Sequence, residues 1–207
     1  MNQKNSLGLN NCFLDIEDPI HLFKVWMEEA KKSEPNDPNA VALATSNRNN
    51  LPSVRMVLLK DFNKNGFVFY TNLDSQKGNE LKSNPKAAMC FHWKSLLRQI
   101  RISGLVSMVT DEVADAYYNS RSYKSRIGAW ASKQSSVLDN KQDLLDKIAK
   151  MKENLGERPS KPPFWGGFRI KPLEIEFWND GAYRVHDRFL WKRRDLTSNW
   201  TINRLSP

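Results

Sequence analysis

The stretch LPSVRMVLLKDFNKNGFVFYTN, residues 51–72, decides how the rest of the chain is read. Within RMVLLK (55–60), Arg55, Val57 and Leu59 fall on one side of an extended backbone, and Met56, Leu58 and Lys60 on the other. GFVFYTN (66–72) is rich in β-branched and aromatic residues, the composition of a pleated, half-buried surface. Between the two runs, KNG (64–66) is a short turn with a glycine, the signature of a hairpin. The segment therefore predicts one long strand, LPSVRMVLLKDF (51–62), antiparallel to a second over 66–72.

Working outward, AVALATS (40–46) is a strand joined through the turn NRNN (47–50). Asp18-Pro19 opens a helix, with Asp as N-cap and Pro at its first position, and Leu22, Phe23, Trp26, Met27 and Ala30 mark one apolar face. SQKGNELKSN (75–84) is a short helix stopped by Asn84-Pro85, and KAAMCFHW (86–93) and LLRQIRISGLVSMV (96–109) are strands. Helices are expected over 111–121 and 139–155, with SYKSRIGAWASKQSS (122–136) as a loop and ERPSKPPFWGGF (157–168) as a connector. The chain ends in a meander of LEIEFWN (173–179), a turn at Asp180-Gly181, AYRVHDRFLWKR (182–193) and WTINRL (200–205). About seven strands joined mostly by hairpins, with three or four helices between them, predict an antiparallel barrel.

Composition narrows the function classes. The 207 residues carry 32 Lys and Arg against 23 Asp and Glu, a formal charge of +9 that suits an anionic ligand. The positive charge is scattered rather than blocked, which argues against nucleic acid. No apolar run approaches the ~20 residues needed to cross a bilayer, and the N-terminus lacks the pattern of a signal peptide. Two cysteines, Cys12 and Cys90, point to no disulfide framework and fit a reducing cytoplasm. No strand is followed by the glycine-rich turns of Rossmann or P-loop folds, and no two of His21, His92 and His186 form a helical metal pair.

Several segments have the chemistry to hold anions. In AYRVHDRFLW (182–191), Arg184, His186 and Arg188 alternate, so a strand would present all three on one face. Lys60 stands at a strand end, Tyr70 and Thr71 offer hydroxyls, and Lys77 stands near a helix start whose free N–H groups attract phosphate. Gln99, read as a buried side chain, would offer both donor and acceptor to a heterocycle edge, and Gly104 marks a bulge or a close approach. Tyr117 and Arg121, four apart, share a helical face near Ser125 and Arg126. Taken one at a time, each of these patterns fits a solvated or packed surface equally well. His21 reads as a helix surface or boundary residue, and His92 as a packed strand residue.

Taken together, RMVLLK, FYTN, RQIRISG, SRIGAWASKQSS, FWGGFR, IEFW and the closing YRVHDRF…W…RLSP resemble the pyridoxine/pyridoxamine 5′-phosphate oxidase family, from about residue 18 to the C-terminus. The resemblance implies a mainly β fold: an antiparallel FMN-binding split β-barrel with flanking helices, one domain over 18–207 behind a flexible arm of residues 1–17. It implies a homodimer with FMN at the subunit interface, oxidising pyridoxamine or pyridoxine 5′-phosphate to pyridoxal 5′-phosphate, with O2 reduced to H2O2. Carried over by position, the FMN set is Arg55, Met56, Val57, Leu58, Leu59, Lys60, Tyr70, Thr71, Gln76, Lys77, Gln99, Gln134, Ser135, Trp178 and Arg188. The substrate set is Lys60, Tyr117, Arg121 and Ser125 for the phosphate, with Arg184 and His186, the catalytic candidates, beside the pyridine ring. Two features depart from the family. Gln76 stands where many relatives carry a basic residue, and the first 47 residues contain neither Arg nor Tyr for a lid over the site. A non-catalytic flavin- or pyridoxal-phosphate-binding protein on the same barrel, or a split-barrel reductase using another substrate or a deazaflavin, are the alternatives.

Overall fold

Asp18 caps the first helix in the way its sequence implies: its carboxylate accepts a hydrogen bond from the Ile20 amide at 2.9 Å, and Pro19 starts α1 (Pro19–Ser33). The computed structural model describes residues 17–207, so Cys12 and the arm expected over 1–17, apart from Glu17, lie outside the described residues. Leu22, Phe23, Trp26, Met27 and Ala30 of α1 are all buried. Phe23 sits among Phe62, Phe67 and Phe91, with edge-to-face rings at 4.8, 4.9 and 5.3 Å. Each such pair contributes about 0.5–1.5 kcal/mol beyond its buried area.

After α1 come β1 (Ala40–Ser46), β2 (Pro52–Leu58), β3 (Asp61–Asn63) and β4 (Gly66–Asn72), then α2 (Gln76–Ser83), β5 (Lys86–Trp93) and β6 (Arg98–Met108). Three helices follow, α3 (Asp111–Ser120), α4 (Tyr123–Ala131) and α5 (Lys141–Leu155), and the chain finishes with β7 (Trp165–Asn179), β8 (Asp187–Lys192) and β9 (Thr201–Arg204). All nine strands belong to one antiparallel sheet in the order β2-β1-β5-β6-β7-β4-β3, with β8 also on β7 and β9 on β8. The first half of β7 pairs with β4 and the second half with β8, while β6 runs along its other edge. Changing partners along one strand curls the sheet into a half-barrel with flanking helices, the split-barrel architecture.

Four expectations change. The long strand over 51–62 is broken at Leu59-Lys60: β2 pairs with β1 and β3 with β4, the two ends of the strand order. Leu59 drops into the core, and the Lys60 amide bonds to Val68 O at 2.9 Å, so this two-residue step carries the chain from one sheet edge to the other. The expected loop 122–136 contains α4, capped by Ser122, with Ile127 and Ala131 buried four residues apart; its serines and glycine hide that short apolar period. The connector 157–168 becomes strand from Trp165, and β7 runs unbroken to Asn179. Pro172 masked that continuity. It lies opposite Gly104, where the register of β6 shifts, and a β-carbon on Gly104 would stand 2.1 Å from Lys171 O. Finally, His92 is exposed while Trp93 beside it is buried, the ordinary alternation of a strand with one solvated face. Among the described residues, no helix is long and apolar enough to cross a membrane.

Candidate functional site: a cationic cavity and a second cluster

A cavity of about 720 Å³ opens where the β2–β3 step, the end of β4, the start of α2, the α3–α4 corner and the first residue of β7 converge. Met56, Val57, Leu58 and Lys60 line one side; Tyr70, Thr71, Asn72 and Lys77 the next; Tyr117, Arg121, Ser122, Ser125, Gly128, Ala129, Ser132, Gln134 and Trp165 complete it. The structure thus brings Lys60, Tyr70, Thr71, Lys77, Tyr117, Arg121, Ser125 and Gln134 together from five sequence segments.

Local structure explains their placement. Ser75 caps α2, accepting from the Gly78 amide and donating to Asn72 O at 2.6 Å, which ties the helix start to the end of β4. A β-carbon on Gly78 would lie 2.2 Å from Leu73 O, so only glycine lets the helix approach this closely. Lys77, in the first turn, is therefore buried, with Nζ donating to Gln134 Oε1 at 3.0 Å, Ser75 Oγ at 3.2 Å and Thr71 Oγ1 at 3.3 Å. All three acceptors are neutral. Burial, and then the nearby Arg55, lower the Lys77 pKa, with Glu80 opposing.

Arg55 takes another role. It bonds to Thr45, Ser53 and the buried Glu80, with a 3.3 Å ion pair to Glu80 Oε2. Gln76 donates to Glu80 Oε1 at 2.9 Å. Burial pushes the Glu80 carboxyl up, but hydrogen bonds from Thr45, Ser53 and Gln76 and the charge of Arg55 leave it below its usual value. Arg55, Leu59, Gln76 and Ser135 lie outside the cavity lining.

One wall is aromatic. The Tyr70 and Tyr117 rings stack at 4.0 Å, and Trp165 lies parallel to Tyr70 at 5.4 Å and to Tyr117 at 6.2 Å. Gly167 makes room for this stack, since a β-carbon there would meet the Tyr70 ring at 2.7 Å. Arg121, the C-cap of α3, lays its guanidinium 5.0 Å over Trp165 and 5.9 Å over Tyr118. One of its terminal nitrogens, Nη1, is buried without any hydrogen-bond partner, and burial lowers the pKa of the group. Lys60 Nζ stands 6.0 Å over Tyr117.

Gln99, Trp178, Arg184, His186 and Arg188 form a second cluster at the far end of β7 and line none of this cavity. Trp165 and Trp178 are separated by roughly 40 Å along that strand, at ~3.3 Å per residue. The single strand expected over 182–193 is corrected here. Ala182–Arg184 is a 3₁₀ turn, Tyr183 and Arg184 have φ of 56° and 66°, and β8 starts only at Asp187. Arg184, His186 and Arg188 therefore do not share one strand face. The cause is the tight turn at Gly181, where a β-carbon would lie 1.8 Å from Val185 O. Arg184 is exposed, and its side chain has no hydrogen bond or ion pair among the described residues. His186 Nδ1 lies 3.0 Å from Asp180 Oδ1 and 3.3 Å from the Gly181 amide, with its ring 4.7 Å from that of Trp178. Arg188 places two nitrogens 2.8 Å from Glu176 Oε1. Gln99, expected to be buried, is half-buried opposite Trp178.

Sequence reasoning passed over Trp165, Glu80 and Asp180. The Trp165-Gly166-Gly167 run did carry a signal, because paired glycines inside a strand mark a close approach by another group. Glu80 has one local partner, Gln76 four residues earlier, but Thr45, Ser53 and Arg55 lie 25 to 35 residues away.

Comparison with known proteins gives the same picture for the chain as a whole. A family model described as pyridoxamine 5′-phosphate oxidase matches residues 27–155, and one described as the pyridoxine 5′-phosphate oxidase C-terminal dimerisation region matches 165–207. A pyridoxine/pyridoxamine 5′-phosphate oxidase of Pelagibacter ubique is 63% identical over 209 residues, covering 100% of both chains. One from Cereibacter sphaeroides is 55% identical, covering 92% of this chain and 96% of its own. Among solved structures, PhzG from Burkholderia lata, in complex with tetrahydrophenazine-1-carboxylic acid, superposes with a TM-score of 0.90 at 28% identity, covering 98% of this chain and 99% of its own. A pyridoxamine 5′-phosphate oxidase-related, FMN-binding protein from Nostoc punctiforme shares the fold, with a TM-score of 0.74 at 15% identity over 92% of this chain and 98% of its own. With both family models matched in order and a relative aligned end to end, the chain belongs to the pyridoxine/pyridoxamine 5′-phosphate oxidase family.

Proposed function

We propose that this protein is an FMN-dependent oxidase that converts pyridoxamine or pyridoxine 5′-phosphate to pyridoxal 5′-phosphate in the cytoplasm, working as a homodimer. One observation carries the reading: a single cavity is lined by two cations, the buried Lys77 and the half-buried Arg121, neither hydrogen-bonded to a carboxylate. An isolated buried charge is costly unless an anion joins it. Two such charges and a flat aromatic wall in one cavity suit two planar molecules that each carry a phosphate.

The residues present fit FMN. Lys77 and Thr71, beside the start of α2, would hold its phosphate, with Met56 to Lys60, Tyr70 and Gln134 around it. Lys60, Tyr117, Arg121 and Ser125 would hold the phosphate of the substrate. Bound FMN supplies a hydride acceptor for the substrate carbon C4′ and passes the electrons to O2, giving H2O2. What the chain must add is position and charge.

Arg184 and His186 would act on the substrate ring, and Gln99, Trp178 and Arg188 on the flavin. One chain carries its two clusters at opposite ends of β7, so in this reading the second copy brings its C-terminal cluster to the cavity of the first. The dimerisation region matched over 165–207 contains Trp178, Arg184, His186 and Arg188, which supports that arrangement. In the cluster, Arg184 stays charged and can stack on a ring as well as bind an anion. Asp180, 3.0 Å from His186 Nδ1, orients the imidazole and leaves Nε2 to bond the substrate amine or hydroxyl.

Purified protein should be yellow, elute as a dimer, and form pyridoxal phosphate and H2O2 in equal amounts under air. Colourless protein that takes up no FMN from excess would end this reading.

A further inference from the structure

We infer that Trp165 is a positioning residue for the phosphate of the substrate, acting through Arg121. The inference rests on the proposed reading that Arg121 meets that phosphate. Its own support is separate. Arg121 is desolvated, and one terminal nitrogen is buried with no hydrogen bond. Something must compensate the buried charge while the site waits for its ligand. Its guanidinium stands 5.0 Å over the indole of Trp165 and 5.9 Å over the ring of Tyr118.

The choice of an aromatic face has a consequence. A carboxylate would hold the guanidinium at least as firmly, but it would neutralise the charge and compete with phosphate for the same N–H donors. A ring attracts the cation through its quadrupole and takes up none of those donors. Arg121 thereby keeps its charge in the cavity wall, with no carboxylate bound to it and Nη1 held by no acceptor. Trp165 is itself held by its neighbours: its ring is within 5° of parallel to Tyr70, and Tyr118 packs edge-on at 5.2 Å. As the first residue of β7, opposite Asn72 of β4, its backbone is fixed by the sheet. Trp165 thus gives Arg121 a fixed direction as well as a compensated charge, and its loss falls on phosphate recognition rather than on turnover.

The test measures preference for the phosphate group on FMN-loaded protein, without catalysis. A non-oxidisable analogue, 4′-deoxypyridoxine 5′-phosphate, and its unphosphorylated form are titrated against the flavin spectrum, and the ratio of their dissociation constants is the readout. Arg121→Ala is expected to cut that ratio by about a hundredfold and Trp165→Leu by about tenfold. In the Arg121→Ala background, Trp165→Leu should change the ratio by less than about twofold, because its route of action has been removed. Trp165→Phe keeps the stack with a weaker ring face, and about a threefold loss is expected; it decides the matter should the Leu variant not yield holoprotein. A wild-type ratio in the Trp165 variants, or equal losses for both ligands, or an undiminished effect of Trp165→Leu without Arg121, overturns the inference. A wild-type ratio in Arg121→Ala would instead remove Arg121 from the phosphate site and with it the reading on which this rests.

Discussion

At one end of β7, the buried Lys77 and the half-buried Arg121 hydrogen-bond to neutral acceptors or lie against aromatic rings; at the other, Arg188 is held by Glu176 and His186 lies against Asp180. The two regions treat positive charge in opposite ways. In the cavity neither cation is hydrogen-bonded to a carboxylate, and Glu80 offsets the burial of Lys77 only in part, so the site gains most when an anion arrives. In the C-terminal cluster the charges are already compensated: buried Glu176 accepts from both Arg101 and Arg188, and Arg204 bonds to Asp187. Arg184 is the exception there. Together with Tyr183, which is 86% exposed, it is held in a left-handed conformation that costs of order 1–3 kcal/mol per residue. In the proposed reading, the cationic cavity of one copy and the strained, solvent-facing turn of another would be complementary halves of one site.

The contrast can be broken experimentally, and the largest effect is expected at the strained turn. Arg184→Ala should leave flavin bound and lower kcat/KM for pyridoxine 5′-phosphate by roughly a hundredfold or more, since only positioning of the reacting ring is lost. Parallel loss of FMN and activity would assign Arg184 to the flavin. Next, Lys77→Met, which keeps the volume and removes the charge, should weaken FMN binding about 10–100-fold in a fluorescence titration of apoprotein. An unchanged dissociation constant would mean that the buried cation serves only the fold.

The smallest effect sharpens the same point through pH. Burial lowers the Lys77 pKa in the free protein, so the ammonium that a phosphate needs is lost at a lower pH than for an ordinary lysine. FMN affinity should fall as pH rises through that depressed value, by at most tenfold per unit. Stability of the unliganded fold moves the other way. A lysine with a lower pKa folded than unfolded leaves the unfolded chain with more bound protons across that window, so the burial penalty fades as pH rises. Denaturant midpoints of apoprotein on either side of the window check the sign, and Lys77→Met should flatten both trends.

Much of the architecture was legible locally. The capped start of α1, the apolar face of that helix, the Lys64-Asn65 hairpin and the strands β1, β5 and β6 follow from neighbouring residues, and the structure has each of them. The misreadings share a cause. Leu59-Lys60, Pro172 and Tyr183-Arg184 depart from regular strand geometry because of groups distant in sequence or a tight glycine turn, and α4 hides its short apolar period among serines and glycine.

The sequence by itself determined the antiparallel β-rich composition, the basic balance and the set of candidate anion-binding side chains, because strand alternation, caps and turns act over a few residues. Tertiary structure alone decided which of those side chains meet. It took the switch at Leu59-Lys60 to close the strand order, and the β6–β7 bulge to let Trp165 and Trp178 belong to one continuous strand. It also decided that Arg55 answers Glu80 while Lys77 and Arg121 are bonded to no carboxylate, because burial and partner choice depend on contacts across the fold that no local pattern encodes.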